Sequence, residues 1–278
     1  MIYTRPLWIF LLAVCLLSGA AVSYGAEITI CSWNVANLGK SKTPEQVSFM
    51  AGLLCACDVI ALQEVNVSPD GAQQTAALVL ELNNSCGAQW DYSISPPTTS
   101  PNAQERERYV YIWKSSVVQA KGKGWLDTLW QEELVREPYI MDFRHGSKVL
   151  TLVNFHAVPK KKDPAKELAF FKGYPSRLKA YPFIILGDFN LPVSHNVFEP
   201  LKRMGYRPAL QSQRTTLRQE CLPDGCLANA YDNFILHPSG FKIRQGAAVH
   251  FYTLLDNDMK RARAVSDHLP ITMTISIL

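Results

Sequence analysis

Phe183-Ile184-Ile185-Leu186-Gly187-Asp188-Phe189-Asn190 decides how this chain reads. Its apolar run suits a strand buried on both faces, and the Gly-Asp-Phe-Asn that closes it sets a carboxylate and an amide on a rigid strand end. The same construction recurs along the chain. Asn34 follows Ile28-Thr29-Ile30-Cys31-Ser32-Trp33, and Glu64 follows Val59-Ile60-Ala61-Leu62-Gln63. Ser266-Asp267-His268-Leu269-Pro270 leads into the apolar run that finishes at Leu278. Hard divalent cations take oxygen ligands of this kind, and magnesium needs only one or two direct carboxylates when phosphate oxygens complete its shell. The strand ends therefore predict metal-assisted cleavage of a phosphate ester.

Around these ends, helix and strand signals alternate. Thr43-Pro44-Glu45-Gln46 reads as a capping box with proline at the first helical position, and Val47, Met50 and Leu54 follow at helical spacing. A strand is expected over 58–63 and a helix over 72–84, with Leu78 and Leu82 on one face. Strand signals then dominate at 90–94, 108–114, 139–143, 148–155 and 183–187. Asp163-Pro164 starts a short helix, another helical stretch covers 195–204, and strands at 231–236 and 270–277 finish the chain. The Pro- and Ser-rich stretch 95–104 reads as a loop within one domain. Periodicity alone supports an α/β or α+β fold.

Composition narrows the compartment. With 47% hydrophobic and 19% charged residues, the 278-residue chain suits one globular domain over 26–278 and excludes a disordered or repetitive protein. Residues 1–25 read as a signal peptide: Arg5 supplies the basic start, Leu7 to Leu17 the apolar core, and Ser23-Tyr24-Gly25-Ala26 the small residues for cleavage. That core is too short for a transmembrane span, and Cys15 lacks the flanking small residues of a lipid-anchor site. Secretion, or export to a periplasm, follows. Without the leader, 27 basic side chains face 24 acidic ones, a net charge of +3 that tolerates a polyanion without requiring one. Six cysteines remain, an even number that favours disulfides in an exported protein. Cys221 and Cys226 flank a Pro-Asp-Gly turn and are expected to pair. Cys31 reads equally well as a buried thiol, and the pairing of Cys55 or Cys57 with Cys86 stays open.

Taken together, Trp33-Asn34-Val35, Gln63-Glu64-Val65, Asn154-Phe155-His156, Gly187-Asp188-Phe189-Asn190 and Ser266-Asp267-His268 resemble the endonuclease/exonuclease/phosphatase superfamily. They run in order across nearly the whole mature chain. Glu107-Arg108-Tyr109-Val110-Tyr111, Arg136-Glu137-Pro138 and Ala230-Tyr231-Asp232-Asn233 are similar to its deoxyribonuclease I-like branch. The resemblance implies two packed mixed β-sheets flanked by helices, a four-layer α/β sandwich.

It also implies roles. Glu64 is the expected metal ligand, assisted by Asn34 and Asp267, with Mg2+ or Mn2+ as the catalytic ion and Ca2+ as a structural one. Asp188 and Asn190 are expected to hold the phosphate or a second metal and to orient the nucleophile; an Asx turn is the competing reading of Asn190. His156 with Glu107, and His268 with Asp232, are the expected acid–base dyads, since a catalytic imidazole needs a carboxylate to fix its tautomer. His145, His195, His237 and His250 read as ordinary core or surface residues. Arg136 is expected at a phosphate. Lys160, Lys161 and Lys162 are candidate backbone contacts, although such a run by itself is most simply a solvated basic loop.

The chain also departs from the branch. Ala36 and Asn66 stand where basic side chains are usual, Glu105 replaces a tyrosine, and Asn102, Ala103 and Gln104 precede it. The branch uses those positions to grip a duplex minor groove. The leading expectation is a secreted, monomeric, divalent-metal-dependent endonuclease acting on DNA, with RNA as a second nucleic-acid substrate and little sequence specificity. The alternatives are a phosphoesterase of the same fold acting on a phospholipid such as sphingomyelin or on an inositol phosphate, and a toxin subunit that requires a partner.

Overall fold

The computed structural model describes residues 27–278, so the expected leader lies outside the described residues. In chain order the first half holds β1 (Glu27–Leu38), α1 (Pro44–Leu54), β2 (Val59–Val65), α2 (Pro69–Ser85), β3 (Trp90–Ile94) and β4 (Arg108–Lys114). The short strands β5 (Gln119–Ala120) and β6 (Trp125–Leu126) precede β7 (Tyr139–His145) and β8 (Lys148–His156). Next come α3 (Ala165–Leu168), α4 (Tyr174–Arg177), β9 (Phe183–Asp188), α5 (Glu199–Arg203) and β10 (Arg207–Pro208). The chain closes with β11 (Leu217–Leu222), β12 (Gly225–Leu227), β13 (Asp232–Leu236), β14 (Phe241–Ala248), α6 (Met259–Val265) and β15 (Ile271–Ile277).

A six-stranded sheet runs β14-β15-β1-β2-β4-β3, and a seven-stranded sheet runs β10-β13-β9-β8-β7-β5 with β6 also on β7. Strand alternation assigns the layers. On β1, Ile28 and Ile30 face the second sheet, while Cys31, Trp33 and Val35 face the layer of α1, α2 and α6. On β9, Ile184 and Leu186 enter the same inter-sheet core, while Phe183 and Ile185 pack on the α3–α5 side. Three apolar cores thus separate four layers: helix, sheet, sheet, helix.

Two parallel pairs bring the functional strand ends together. β1 runs parallel to β2 in one sheet and β8 parallel to β9 in the other, with His156 in register with Asp188. Asp232 opens β13 directly opposite Asp188. A buried amide clamp fixes the sheets to each other here: Gln63 Nε2 donates to Asn154 Oδ1 at 2.7 Å, and Asn154 Nδ2 donates to Leu62 O at 3.0 Å. Each such bond is worth about 1 kcal/mol net, and breaking one inside the core costs more.

The capping box forms at Thr43 and Gln46. Other expectations shift for physical reasons. The second helix begins at Pro69, which sits in the first turn behind Ser68 and lengthens the element beyond 72–84. The stretch 195–204 splits into a 3-10 turn and the five-residue α5. β14 escaped the sequence reading because an edge strand with one face in water carries few apolar residues. Cys31 is not a free thiol: it pairs with Cys57, and Cys55 pairs with Cys86. Cys221 and Cys226 are bonded across the β11–β12 hairpin. Among the described residues, no helix is long and apolar enough to cross a membrane.

Candidate active site

The site is built where the two parallel pairs end. Left-handed backbone clusters there: Ala36 (φ 45°), Asn37 (φ 63°), Glu64 (φ 58°) and Asn190 (φ 50°). Non-glycine residues in this region carry strain, which redirects each chain sharply as it leaves its strand. Ala36 N donates to Asn34 Oδ1 at 3.1 Å, so the first of these turns also aims the Asn34 amide.

Asn34 Nδ2 donates to Glu64 Oε1 at 2.9 Å and to Asp188 Oδ2 at 3.2 Å, linking the carboxylates of the two sheets. Glu64 keeps a quarter of its side chain open to solvent, whereas Asp188 is buried. Asp188 Oδ1 accepts Asn190 N at 2.9 Å, and Asn190 Nδ2 reaches Ala157 O at 3.0 Å. The Asx turn and the placement of Asn190 in the site are one arrangement, not alternatives.

Two imidazoles face Asp188. His156 Nδ1 lies 2.8 Å from Glu107 Oε2, and His268 Nδ1 lies 2.9 Å from Asp232 Oδ2. An ionised carboxylate can only accept, so each Nδ1 carries the proton and each Nε2 points inward. Both Nε2 atoms stand 3.5 Å from Asp188 Oδ2, and His156 Nε2 is 3.8 Å from Glu64 Oε1. Burial works against charge on both rings, but carboxylates outweigh it. Glu107 raises His156, while Asp232 and Asp188 hold His268 well above the usual imidazole range. Burial would likewise raise Glu107, yet His156 and Arg136 keep it below the ordinary carboxylate value.

Each dyad has its own support. Arg136 Nε sits 3.1 Å from Glu107 Oε2 and donates to Glu105 O, and its Nη1 donates to the carbonyls of His156 and Ala157. Arg136 is thus a strut beneath the first dyad, with most of its donors already engaged. Thr215 Oγ1 donates to Asp232 Oδ2 at 2.6 Å, and Trp33 Nε1 donates to His268 O at 2.8 Å. Ser266 Oγ donates to Asn34 O at 2.7 Å and accepts His268 N at 3.0 Å, tying the second dyad to the Asn34 strand. Lys42, nearly buried, donates from Nζ to Val265 O at 2.7 Å and Ala264 O at 3.2 Å, closing the end of α6 just before that loop.

Asn34, Glu64, Glu107, His156, Asp188, Asn190, Asp232 and His268 therefore meet in one place. Asp267 adjoins them, but its half-exposed carboxylate leans toward Arg263, 3.5 Å away. Lys160, Lys161 and Lys162 form an exposed 3-10 turn just beyond His156, with Lys162 paired to Glu105. Thr215, Lys42 and Tyr109, whose hydroxyl accepts His156 N at 3.2 Å, escaped the sequence reading. Tyr109 lies within the Glu107–Tyr111 motif but had no role assigned to it, and Thr215 and Lys42 sit in no motif; only the tertiary contact reveals what the three do.

The donor set suits a hard cation. Glu64 and Asp188 converge with only an amide and imidazoles between them, and Glu64 is open to solvent. Asp188, Asp232 and His268 also offer ligand atoms within 4.8 Å of one another. Asp232 meets His268 and Thr215 through Oδ2 alone, and among the described residues its buried Oδ1 has no hydrogen-bond partner; Glu64 offers the carboxylate that is open to solvent.

Residues 31–268 match the model of the Endonuclease/Exonuclease/phosphatase family. The chain is 27% identical over 266 residues to deoxyribonuclease-1-like 1 of Cricetulus griseus, covering 89% of this chain and 83% of that protein. It is 26% identical over 280 residues to a deoxyribonuclease of Thioalkalivibrio sp. (strain K90mix), covering 94% and 73%. Its fold is similar to that of an endonuclease/exonuclease/phosphatase protein of Bacteroides vulgatus, with a TM-score of 0.63 at 13% identity, covering 91% of this chain and 100% of the other. A Bacteroides thetaiotaomicron protein of the same description gives a TM-score of 0.62 at 12% identity, covering 90% and 98%.

Proposed function

Because the chain belongs to the endonuclease/exonuclease/phosphatase family, we propose that it is an exported, divalent-metal-dependent endonuclease that hydrolyses the phosphodiester bonds of DNA, and of RNA as a second substrate, with little sequence specificity. The observation that carries this reading is the convergence of two His–carboxylate dyads on one aspartate, each Nε2 3.5 Å from Asp188 Oδ2. Three disulfides among the six cysteines after residue 26 support export. The deoxyribonuclease relatives support DNA.

Hydrolysis of a phosphodiester needs an activated water, a neutralised phosphate and a proton for the leaving oxygen. Asp188 and Asn190 orient the water at the bottom of the site. The dyads divide the proton work: one imidazole takes the water proton at Nε2 while the other delivers its Nε2 proton to the leaving oxygen. Glu107 and Asp232 stabilise the imidazolium in each case. Mg2+ or Mn2+ would be held by Glu64, with Asn34 and Asp267 assisting, and would supply charge neutralisation at the phosphate. Lys160 and Lys161 stand free to meet backbone phosphates, and Arg136 keeps the Glu107 dyad in position.

The test is an assay of purified mature protein against DNA, RNA and sphingomyelin vesicles, with and without EDTA. DNA should be cut, EDTA should abolish cutting, and Mg2+ or Mn2+ should restore it. Cleavage that survives exhaustive chelation removes the metal mechanism. Hydrolysis of the phospholipid with DNA untouched transfers the site to lipid.

A further inference from the structure

Beside the active site the surface sinks into a polar cavity of about 230 Å3, which shares Glu64, Glu107 and Arg136 with the catalytic group; Asn37, Asn66, Gln104, Glu105 and Arg106 supply its other polar lining. One wall is held by close backbone approach. Asn66 N donates to Leu38 O at 3.0 Å. A Cβ at Gly71 would lie 2.0 Å from Asn66 O, and one at Gly39 would lie 2.1 Å from Asn66 Nδ2. Neither glycine has a positive φ, so what each provides is space. The bare Gly39 leaves room for the Asn66 amide, which lines the cavity.

The opposite wall is equally ordered. Arg106 Nε donates to Ser100 O at 2.6 Å, Asn102 Oδ1 accepts Gln104 N at 3.1 Å, and Thr99 N donates to Glu137 Oε2 at 2.9 Å. The charges here are largely spent: Glu105 is paired with Lys162, and Glu107 with His156 and Arg136. Among the described residues, the side-chain amides of Asn37 and Asn66 have no hydrogen-bond partner.

The geometry points to this cavity as the seat of one unpaired nucleobase of the strand being cut, which makes single-stranded nucleic acid the preferred form of the substrate. The inference rests on the nuclease reading above. Three lining carboxylates, Glu64, Glu105 and Glu107, outnumber the guanidiniums of Arg106 and Arg136, the second already paired with Glu107, which disfavours a phosphate. A neutral base, by contrast, offers both donors and acceptors to the amides of Asn37, Asn66 and Gln104. The exposed Arg106 guanidinium adds a plane on which a base can stack. A base held in a duplex cannot enter a concave site without leaving its stack, a cost that a single strand does not pay. With Ala36 and Asn66 both short, this side of the site also offers little that could reach into a groove.

The experiment compares kcat/KM on a single strand and on a duplex of the same sequence for the wild type, Asn66→Ala, Gln104→Ala and Gly39→Ala. Gly39→Ala moves the Asn66 amide without removing it, and melting temperatures report whether each variant folds. The wild type should favour the single strand by about tenfold, and each variant should lose about fivefold on the single strand, mainly through KM, as expected for one or two lost hydrogen bonds. The single-strand to duplex ratio then falls toward one. A wild type that cuts both forms equally overturns the inference, as do variants that slow both forms alike. Wild-type hydrolysis of a bis-aryl phosphodiester, which has no base, checks the underlying chemistry separately. Its absence would remove the phosphodiesterase reading and this inference with it.

Discussion

Asp188 Oδ2 has an imidazole nitrogen on each side at 3.5 Å, and that symmetry governs what single substitutions should do. His156→Ala or His268→Ala removes one half of the proton traffic. Each should lower kcat by ~10²–10⁴-fold, read by steady-state kinetics alongside an unchanged fold. Near-normal turnover in either variant would mean that the dyad is structural. The rings also predict a pH dependence. His268 is desolvated, yet Asp232 and Asp188 raise its pKa well above the unfolded value of about 6.5. Its charged form therefore stabilises the fold fully below about pH 6.5, and that contribution is lost as pH rises through the raised native value. In metal-free buffer, the difference in Tm between wild type and His268→Gln should be largest in mild acid and shrink as the solution becomes alkaline. A gap that widens with alkalinity would contradict this assignment.

At the scale of elements, the parallel β8–β9 pair and the lysine turn after β8 each make a prediction. Gly187 has φ 132°, and a Cβ there would lie 1.9 Å from Phe155 O. Gly187→Ala therefore adds backbone strain to a collision between two central strands. It should cost at least ~3 kcal/mol of unfolding free energy in a denaturant titration, against the few tenths typical of a surface change. The lysine turn acts through charge alone. Lys162 is already engaged by Glu105, leaving Lys160 and Lys161 for phosphates. Replacing all three with Gln should flatten the slope of log Kd for DNA against log salt by about 2, since each neutralised phosphate contributes ~0.9. Unchanged salt dependence would make the run a solvated loop.

Across the whole molecule, two disulfides stiffen the outer helix layer. Cys31–Cys57 ties β1 to the turn before β2, and Cys55–Cys86 joins the ends of α1 and α2, closing separations of 26 and 31 residues. Bridges of this span contribute about 2–4 kcal/mol each. Reduction under denaturing conditions, followed by thiol blocking and refolding, should lower Tm by on the order of 10–20 °C for a domain of this size. The inter-sheet core and its amide clamp do not depend on these bridges. A blocked protein that refolds with its original Tm would show that the bridges add nothing to stability.

The sequence by itself determined the strands that carry the site and the chemical groups at their ends. A buried strand must be apolar until it stops, so a carboxylate, amide or histidine at the stop stands out, as at Glu64, His156 and Asp188. It also determined α1, because a capping box is local chemistry between Thr43 and Gln46. Tertiary structure decided which groups meet; resemblance to a family, and not local sequence, was what paired His156 with Glu107 and His268 with Asp232 beforehand. Glu107 lies 49 residues from His156, and Asp232 lies 36 from His268, and nothing local encodes either distance. The same holds for the Cys31–Cys57 pairing, for Arg136 as a strut, and for the Asn66 amide lying on Gly39. These depend on strand register and on the spacing of two packed sheets, which arise only when distant strands pair. Local composition records what each residue can do; packing selects the partner with which it does it.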